Sequence, residues 1–238
     1  MKGIILSHTR MGATNSGFCT NILVEDGNGN PIQIRPRSLP NNNLFICSFG
    51  MNENQMMKKW RPGCWVRLPK FKYVVGEYRR PTHPEDVILD HYEGVEVDFE
   101  KIVKKSSYIE LIEPFCYRGI DELFPDVRIK RGSFNKWYVP GGLNLNHSVG
   151  YIYSKEVKIY VDFDKFRARI TDENGNIING PLKDEHLLRK LKKKKEKIQQ
   201  KSLIYKNKLL RLSLANPWNE GNRMGESRCF VMVSHIVK

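Results

Sequence analysis

Histidine and carboxylate are the side chains with which this chain of 238 residues could do acid–base or metal chemistry, and their spacing supports neither. His83-Pro84-Glu85-Asp86 and Asp90-His91 bring potential ligands close in sequence, but Pro84 denies the helical i,i+4 spacing that puts two ligands on one metal. A hydrogen-bonding role is expected of them. His8, His147, His186 and His235 stand apart from one another and from acids at any recognisable spacing. A magnesium-dependent nuclease needs clustered carboxylates with a lysine beside them. The nearest approaches are Asp162-Phe163-Asp164-Lys165, and Glu96 with Asp98 ahead of Glu100-Lys101. Both read as polar strand ends, with Asp162 and Asp164 capping a hairpin. The glycine-rich loops that cradle phosphates are missing, as is the Gly-x-Ser-x-Gly elbow of a serine hydrolase. Five cysteines, Cys19, Cys47, Cys64, Cys116 and Cys229, are odd in number and hold no Cys-x-x-Cys pair, so they read as small buried hydrophobes. No enzymatic activity, cofactor or metal is expected.

What the sequence does supply is charge. The formal net charge is +14, and between Arg189 and Lys208 ten Lys or Arg residues face one acid, Glu196. Such a run repels itself unless a polyanion relieves it, and nucleic-acid phosphates do so. The plainer alternative is a solvated helix face that keeps the protein soluble, although such faces usually intersperse acids.

The elements that must position these charges can be read from periodicity. A helix is expected between Lys183 and about Ser202, capped by Asp184 and carrying the apolar stripe Leu187, Leu188, Leu191 and Ile198, with Lys195 in one register position. Arg189, Lys193 and Lys197 then point most directly outward, with Lys194 beside them. Before it, Val157, Ile159 and Val161 alternate with Lys158 and Tyr160, and Phe166, Ala168 and Ile170 alternate with Lys165, Arg167 and Arg169. That is a half-buried hairpin with a basic outer face. The first seventy-five residues read as short strands too. In Pro31 to Pro36, Ile32 and Ile34 face inward while Gln33, Arg35 and then Arg37 form a wet, basic side. In Trp65 to Leu68, Val66 and Leu68 face inward, with Trp65 beside Arg67 outward. A helix is expected from Asp98 to Leu111, and the chain closes with strands Leu209 to Leu214 and Cys229 to Val237. The turns Asp26-Gly-Asn-Gly-Asn30 and Asp172-Glu-Asn-Gly-Asn176 match in register with their flanks. They read either as one hairpin in two copies of a domain or as the shared demand of any tight turn.

With 40% apolar residues the chain is globular, of a size for two domains. Residues 1–135 are expected to form the first and 136–238 the second. No apolar run is long enough for a signal peptide or a membrane span, so a cytoplasmic location and no membrane partner are expected. Short strands, basic and aromatic sheet faces and a helix inserted between strands describe a small Greek-key β-barrel of the OB type, mainly β with inserted helices. SH3-like barrels or sandwiches share this periodicity.

Ile4-Ile5-Leu6-Ser7-His8-Thr9-Arg10, Gly17-Phe18-Cys19, Ile34-Arg35-Pro36 with Ser38, Pro62-Gly63-Cys64-Trp65-Val66 and Arg80-Pro81-Thr82-His83-Pro84-Glu85-Asp86 resemble the dual OB-containing domain of prokaryotic genome-conflict and defence proteins. Leu209 to Leu214 with Asn216-Pro217-Trp218, and then Arg228-Cys229-Phe230, resemble that family's closing section. Gln33 stands where family members usually carry an aromatic residue. The resemblance implies two fused OB barrels that bind nucleic acid without catalysis. The expected contacts are Arg35, Arg37, Trp65 and Arg67 on the first barrel, Lys158, Tyr160, Lys165, Arg167 and Arg169 on the second, and Arg189, Lys193, Lys194 and Lys197 on the helix. Trp65 is either a stacking platform or a cap on its barrel, and Arg35 is either a contact or the partner of an acid at the barrel rim. The alternative function is a scaffold that holds an effector protein such as a nuclease or helicase.

Overall fold

The computed structural model describes residues 1–10, 18–37, 60–75, 81–90, 95–130, 136–215, 217 and 227–237. The protein is mainly β and has two compact units, Met1–Arg80 with Pro84–Glu113, and Pro81–His83 with Pro114–Lys238. The sequence reading divides the chain at 135/136 instead, on proline and glycine punctuation alone.

The first unit holds β1 (Lys2–Arg10), β2 (Phe18–Glu25), β3 (Pro31–Arg37), β4 (Cys64–Arg67), β5 (Phe71–Tyr73), β6 (Asp86–Leu89) and β7 (Glu96–Ile102). They form one sheet in the order β5-β6-β3-β2-β1-β4-β7, in which β3 and β6 run parallel. Alternation places Ile5, Ile22, Val24, Ile34, Val66 and Val87 on one face, where they enclose Trp60. Residues 98–102, expected to be helical, are strand instead: β7 pairs with β4 through Trp65–Asp98 and Arg67–Glu96, and the ladder overrides a loose helical period. The helix α1 begins only at Lys105 and ends at Ile112. Its buried Tyr108 donates its hydroxyl to the Leu6 carbonyl at 3.1 Å.

The second unit holds β8 (Cys116–Tyr117), α2 (Ile120–Leu123), β9 (Arg128–Lys130), β10 (Lys136–Pro140), β11 (Val149–Asp162), β12 (Lys165–Asp172), β13 (Ile177–Pro181), α3 (Glu185–Lys192), α4 (Lys195–Gln200), β14 (Leu203–Leu214) and β15 (Arg228–Val237). The sheet order is β12-β13-β10-β15-β14-β11-β8, and β12 also pairs with β11, so six strands close into a ring with β8 and β9 outside it. Just past β13, Leu182 bridges Val233 of β15 in parallel. Val157, Ile159, Phe166, Ala168, Ile170, Leu210, Leu212 and Val231 fill the ring, and Leu187, Leu191 and Ile198 join them from the helices.

The expected helix over 183–202 is two short helices broken at Lys193-Lys194, where Lys194 leaves helical geometry at φ −121° and ψ 15°. Like charges four apart, such as Arg189–Lys193, Lys190–Lys194 and Lys193–Lys197, weaken a continuous helix there. Asp184 caps α3 as expected, accepting from the Leu187 amide at 2.9 Å. Its other oxygen accepts from the Ile236 amide at 3.2 Å and lies 2.8 Å from His235 Nδ1.

The two matching turns occupy the same connection in the two units, β2 to β3 and β12 to β13. In the first, Asp26 donates its amide to the Asn30 carbonyl at 2.9 Å and accepts the Asn30 amide on its carboxylate at 2.8 Å. In the second, Asp172 does the same with Asn176, at 3.1 Å and 2.7 Å. Gly29 and Gly175 take φ of 82° and 88°, a left-handed conformation that favours glycine. The likeness extends beyond the turn. Val24 faces Ile32 and Gly3 in the first unit as Ile170 faces Ile178 and Val157 in the second. Beyond the hairpins both units make parallel pairings, Arg35 to Arg37 with β6 in the first, and in the second Asn179 with Lys136 of β10 and Leu182 with Val233 of β15. The two hairpins therefore share both turn geometry and register.

Candidate nucleic-acid interface

On the outer side of the second unit, the β11–β12 ladder sets Lys158 opposite Arg169, Tyr160 opposite Arg167 and Asp162 opposite Lys165. Period 2 puts all six on one face, away from Val157, Ile159, Ala168 and Ile170. Lys165 and Arg169 are exposed, while Lys158, Tyr160 and Arg167 are half-buried. Arg167 reaches Asp162 at 3.6 Å. Burial raises the pKa of the Tyr160 phenol and Asp162 raises it further, against the opposing pull of Arg167 and Arg169. The hairpin residues expected from sequence therefore do meet.

A further cation joins them that sequence reading passed over. Lys183 follows β13 and donates its amide to the Val233 carbonyl at 2.8 Å. Partial burial pushes its ammonium pKa down, and the charges of Lys165 and Arg167 push it further than Glu185 restores it. Lys183 thus lies within electrostatic reach of Lys165 and Arg167. A lone lysine after a strand carries no sequence signal; only the β12–β13 pairing brings it beside the hairpin.

The lysine run lies next to this face. Lys195 is bound to Asp164 in the β11–β12 turn, which ties the start of α4 to the hairpin tip. Arg189 is held by Glu185 at 3.2 Å, so it is less free than expected. Lys193, Lys194 and Lys197 are exposed. They make no ion pair with a described residue.

The first unit differs. Gln33 and Arg35 do oppose Ile32 and Ile34, but the side they occupy is not wet: Arg35 is 3% exposed, and its Nε donates to Asp86 at 2.6 Å. Burial alone lowers the pKa of a guanidinium, and its neighbours together, the Asp86 charge and hydrogen bond with Cys19 and Glu85, more than reverse this. Arg35 is therefore committed to structure. The Arg37 side chain lies outside the described residues. Trp65, 36% exposed, and Arg67 do sit on the outer side of β4, lining a pocket of about 550 Å³ with Lys2, Lys101, Glu96 and Asp98. There Arg67 meets Glu96 at 3.6 Å and Lys101 meets Asp98 at 3.5 Å, so both acids of the lining are matched by cations and Lys2 adds one further positive charge.

The histidines are engaged in the frame. His83 Nδ1 lies 2.9 Å from the Thr82 hydroxyl, His8 Nδ1 lies 2.9 Å from that of Thr20, and His147 Nε2 lies 2.8 Å from the Leu123 carbonyl. His91 lies outside the described residues, as does Cys47. Among the described residues no three His, Cys, Asp or Glu side chains gather as a metal site would require. Also among them, no helix is long and apolar enough to cross a membrane. Cys64 and Cys229 are buried as expected, whereas Cys19 and Cys116 are only half-buried. No protein-family model matches this chain, and no curated protein matches it.

Proposed function

We propose that this chain is a non-catalytic nucleic-acid-binding protein of two OB-like barrels, acting in the cytoplasm as a component of a prokaryotic defence or genome-conflict system. The strand order supports the OB reading. The first strand of each plan pairs with both the second and the fourth, as β1 does with β2 and β4, and β11 with β12 and β14. In the second unit Leu182, just past the third strand, bridges β15 in parallel, and α3 and α4 fall between third and fourth; in the first unit β3 pairs in parallel with β6, beyond β5. These pairings, those of the second unit above all, support the reading of a small Greek-key barrel, whose sheet face tracks nucleic-acid backbones. The defence role is what the resemblance of the opening and closing segments implies.

The observation that carries binding is the outer face of the β11–β12 ladder, where Lys158 lies opposite Arg169 and Tyr160 opposite Arg167, with Lys183 close by as a partly buried ammonium. Phosphates are the partner that fits, with Lys193, Lys194 and Lys197 extending the surface. Fluorescence anisotropy on single- and double-stranded DNA and RNA tests this. Three to five phosphate contacts give a log K against log salt slope near −0.9 per contact on duplex, hence a steep loss above about 0.2 M salt. Failure to retain any of the four forms at about 50 mM salt refutes the reading.

A second reading, a scaffold that holds an effector protein, draws on the Trp65 pocket. Its two ion pairs and single aromatic suit a protein contact better than a phosphate backbone.

A further inference from the structure

Asp162 and Lys165 are the last pair of the β11–β12 ladder, so Phe163 and Asp164 make the whole turn. Both take left-handed backbone, at φ 42° and 64°. Two-residue turns of this hand fit right-twisted strands, and Asn-Gly makes them with little strain. Aspartate tolerates the conformation; a bulky ring there is a steric outlier. Nor does burial offset the strain, because Phe163 is 87% exposed, the highest value among the large hydrophobic side chains described. Neither the turn nor the core accounts for a phenylalanine at this position.

Its surroundings suggest what does. Asp162 holds Arg167, and Asp164 holds Lys195, so both carboxylates of the turn are committed to neighbouring cations and brace the tip. Lys165 and Arg167 crowd Lys183 alongside. An apolar ring therefore stands at a tip braced by two ion pairs, with the basic face of the ladder beginning at Lys165. That pairing suits an unpaired base together with its phosphate: the ring face takes the base and the cations take the charge. A lipid surface fits less well, since insertion needs several apolar side chains together. Ile204 lies along β14 opposite Lys158, and Ile177 lies opposite Thr171 at the far end of β12, so Phe163 is not part of a larger exposed apolar group at the tip.

We propose that Phe163 is a stacking residue that takes an unpaired base of a single-stranded nucleic acid at the tip of the β11–β12 hairpin, an inference that rests on the nucleic-acid reading above. The test is fluorescence anisotropy at one salt concentration with three probes: a single strand, the same strand paired into a blunt duplex, and an abasic strand of equal length. Phosphatidylserine vesicles serve as a fourth probe. Phe163→Asn suits the left-handed turn, so its Tm should match or exceed that of the parent and a loss of binding cannot be ascribed to unfolding. It should weaken the single strand by about 5- to 150-fold, the range set by one stacked base, and leave duplex and abasic strand unchanged. Phe163→Trp should retain single-strand affinity.

Equal single-strand affinity of Phe163→Asn and parent overturns the proposal while leaving the broader reading intact. So does an equal loss on all three nucleic acids, which marks a change in the charged surface, or a loss confined to the vesicles. If the parent itself binds none of the nucleic acids, the broader reading fails along with it.

Discussion

Setting Val24 on Ile170 aligns the two hairpins and exposes how differently their outer faces are used. Ile4 then corresponds to Lys158, Leu23 to Arg169, Asn21 to Arg167 and Gln33 to Asn179. The four positions of the first unit are buried, and those of the second are half-buried or exposed, three of them basic. One pattern of pairing therefore supports two opposite surfaces. The inner positions are apolar in both units because the core demands it, Ile5 and Ile22 answering to Ile159 and Ala168. The outer positions are unconstrained by the ladder, so whatever covers them decides their chemistry. On β1 part of that cover is Tyr108, bonded to Leu6. The arginine nearest in character to the binding face, Arg35, is consumed there by an ion pair.

The contrast is sharpest between two arginine–aspartate pairs. Arg35 and Asp86 are nearly inaccessible, so Asp86→Ala strands a buried guanidinium and should destabilise the protein by about 3 to 5 kcal/mol in urea unfolding, with nucleic-acid affinity unaffected. Arg167 and Asp162 sit in partial contact with water, so Asp162→Ala should cost less than about 1 kcal/mol. A larger loss for Asp162→Ala than for Asp86→Ala erases the distinction drawn between the faces.

Asp184 gives the next effect. Burial by itself raises its pKa, but the His235 hydrogen bond and charge, with the Leu187 and Ile236 amides, hold it below the ordinary carboxylate value of 3.8. The unfolded chain therefore binds more protons than the folded one just below that value, and stability rises with pH across the window. Asp184's contribution should be fully present above about pH 5 and lost as pH falls through 3.8 and then through the lower folded pKa. Asp184→Ala should cost about 2 to 4 kcal/mol at neutral pH, a cap and a buried hydrogen-bond hub together. The gap from the parent should narrow on acidification, measured by urea midpoints from pH 7 to 3. A gap constant over that range contradicts the assignment.

Much of the second unit was legible because its strands alternate without interruption: Lys165 to Ile170 could place its residues on no other faces. The Asp184 cap was legible from one residue before a leucine stripe. The first unit misled at Arg35, whose direction was correctly read but whose burial depends on Asp86, distant in sequence and reached only through the parallel β3–β6 pairing. Long-range pairing also hid β5 and β6, each too short for a period to register. The break at Lys193-Lys194 was hidden because Leu187, Leu191 and Ile198 keep a helical spacing across it. Since Leu191 and Ile198 lie in the core, removing the whole lysine run would damage the second unit, and charge substitution is the sound probe.

The claim that the second unit's open face binds while the first unit's covered face does not is tested most directly by Arg167→Glu with Arg169→Glu. Anisotropy across a salt series should show weaker binding and a duplex slope shallower by about 1.8, at about 0.9 for each lost phosphate contact. Unchanged affinity and slope, with the protein still folded, would contradict the account.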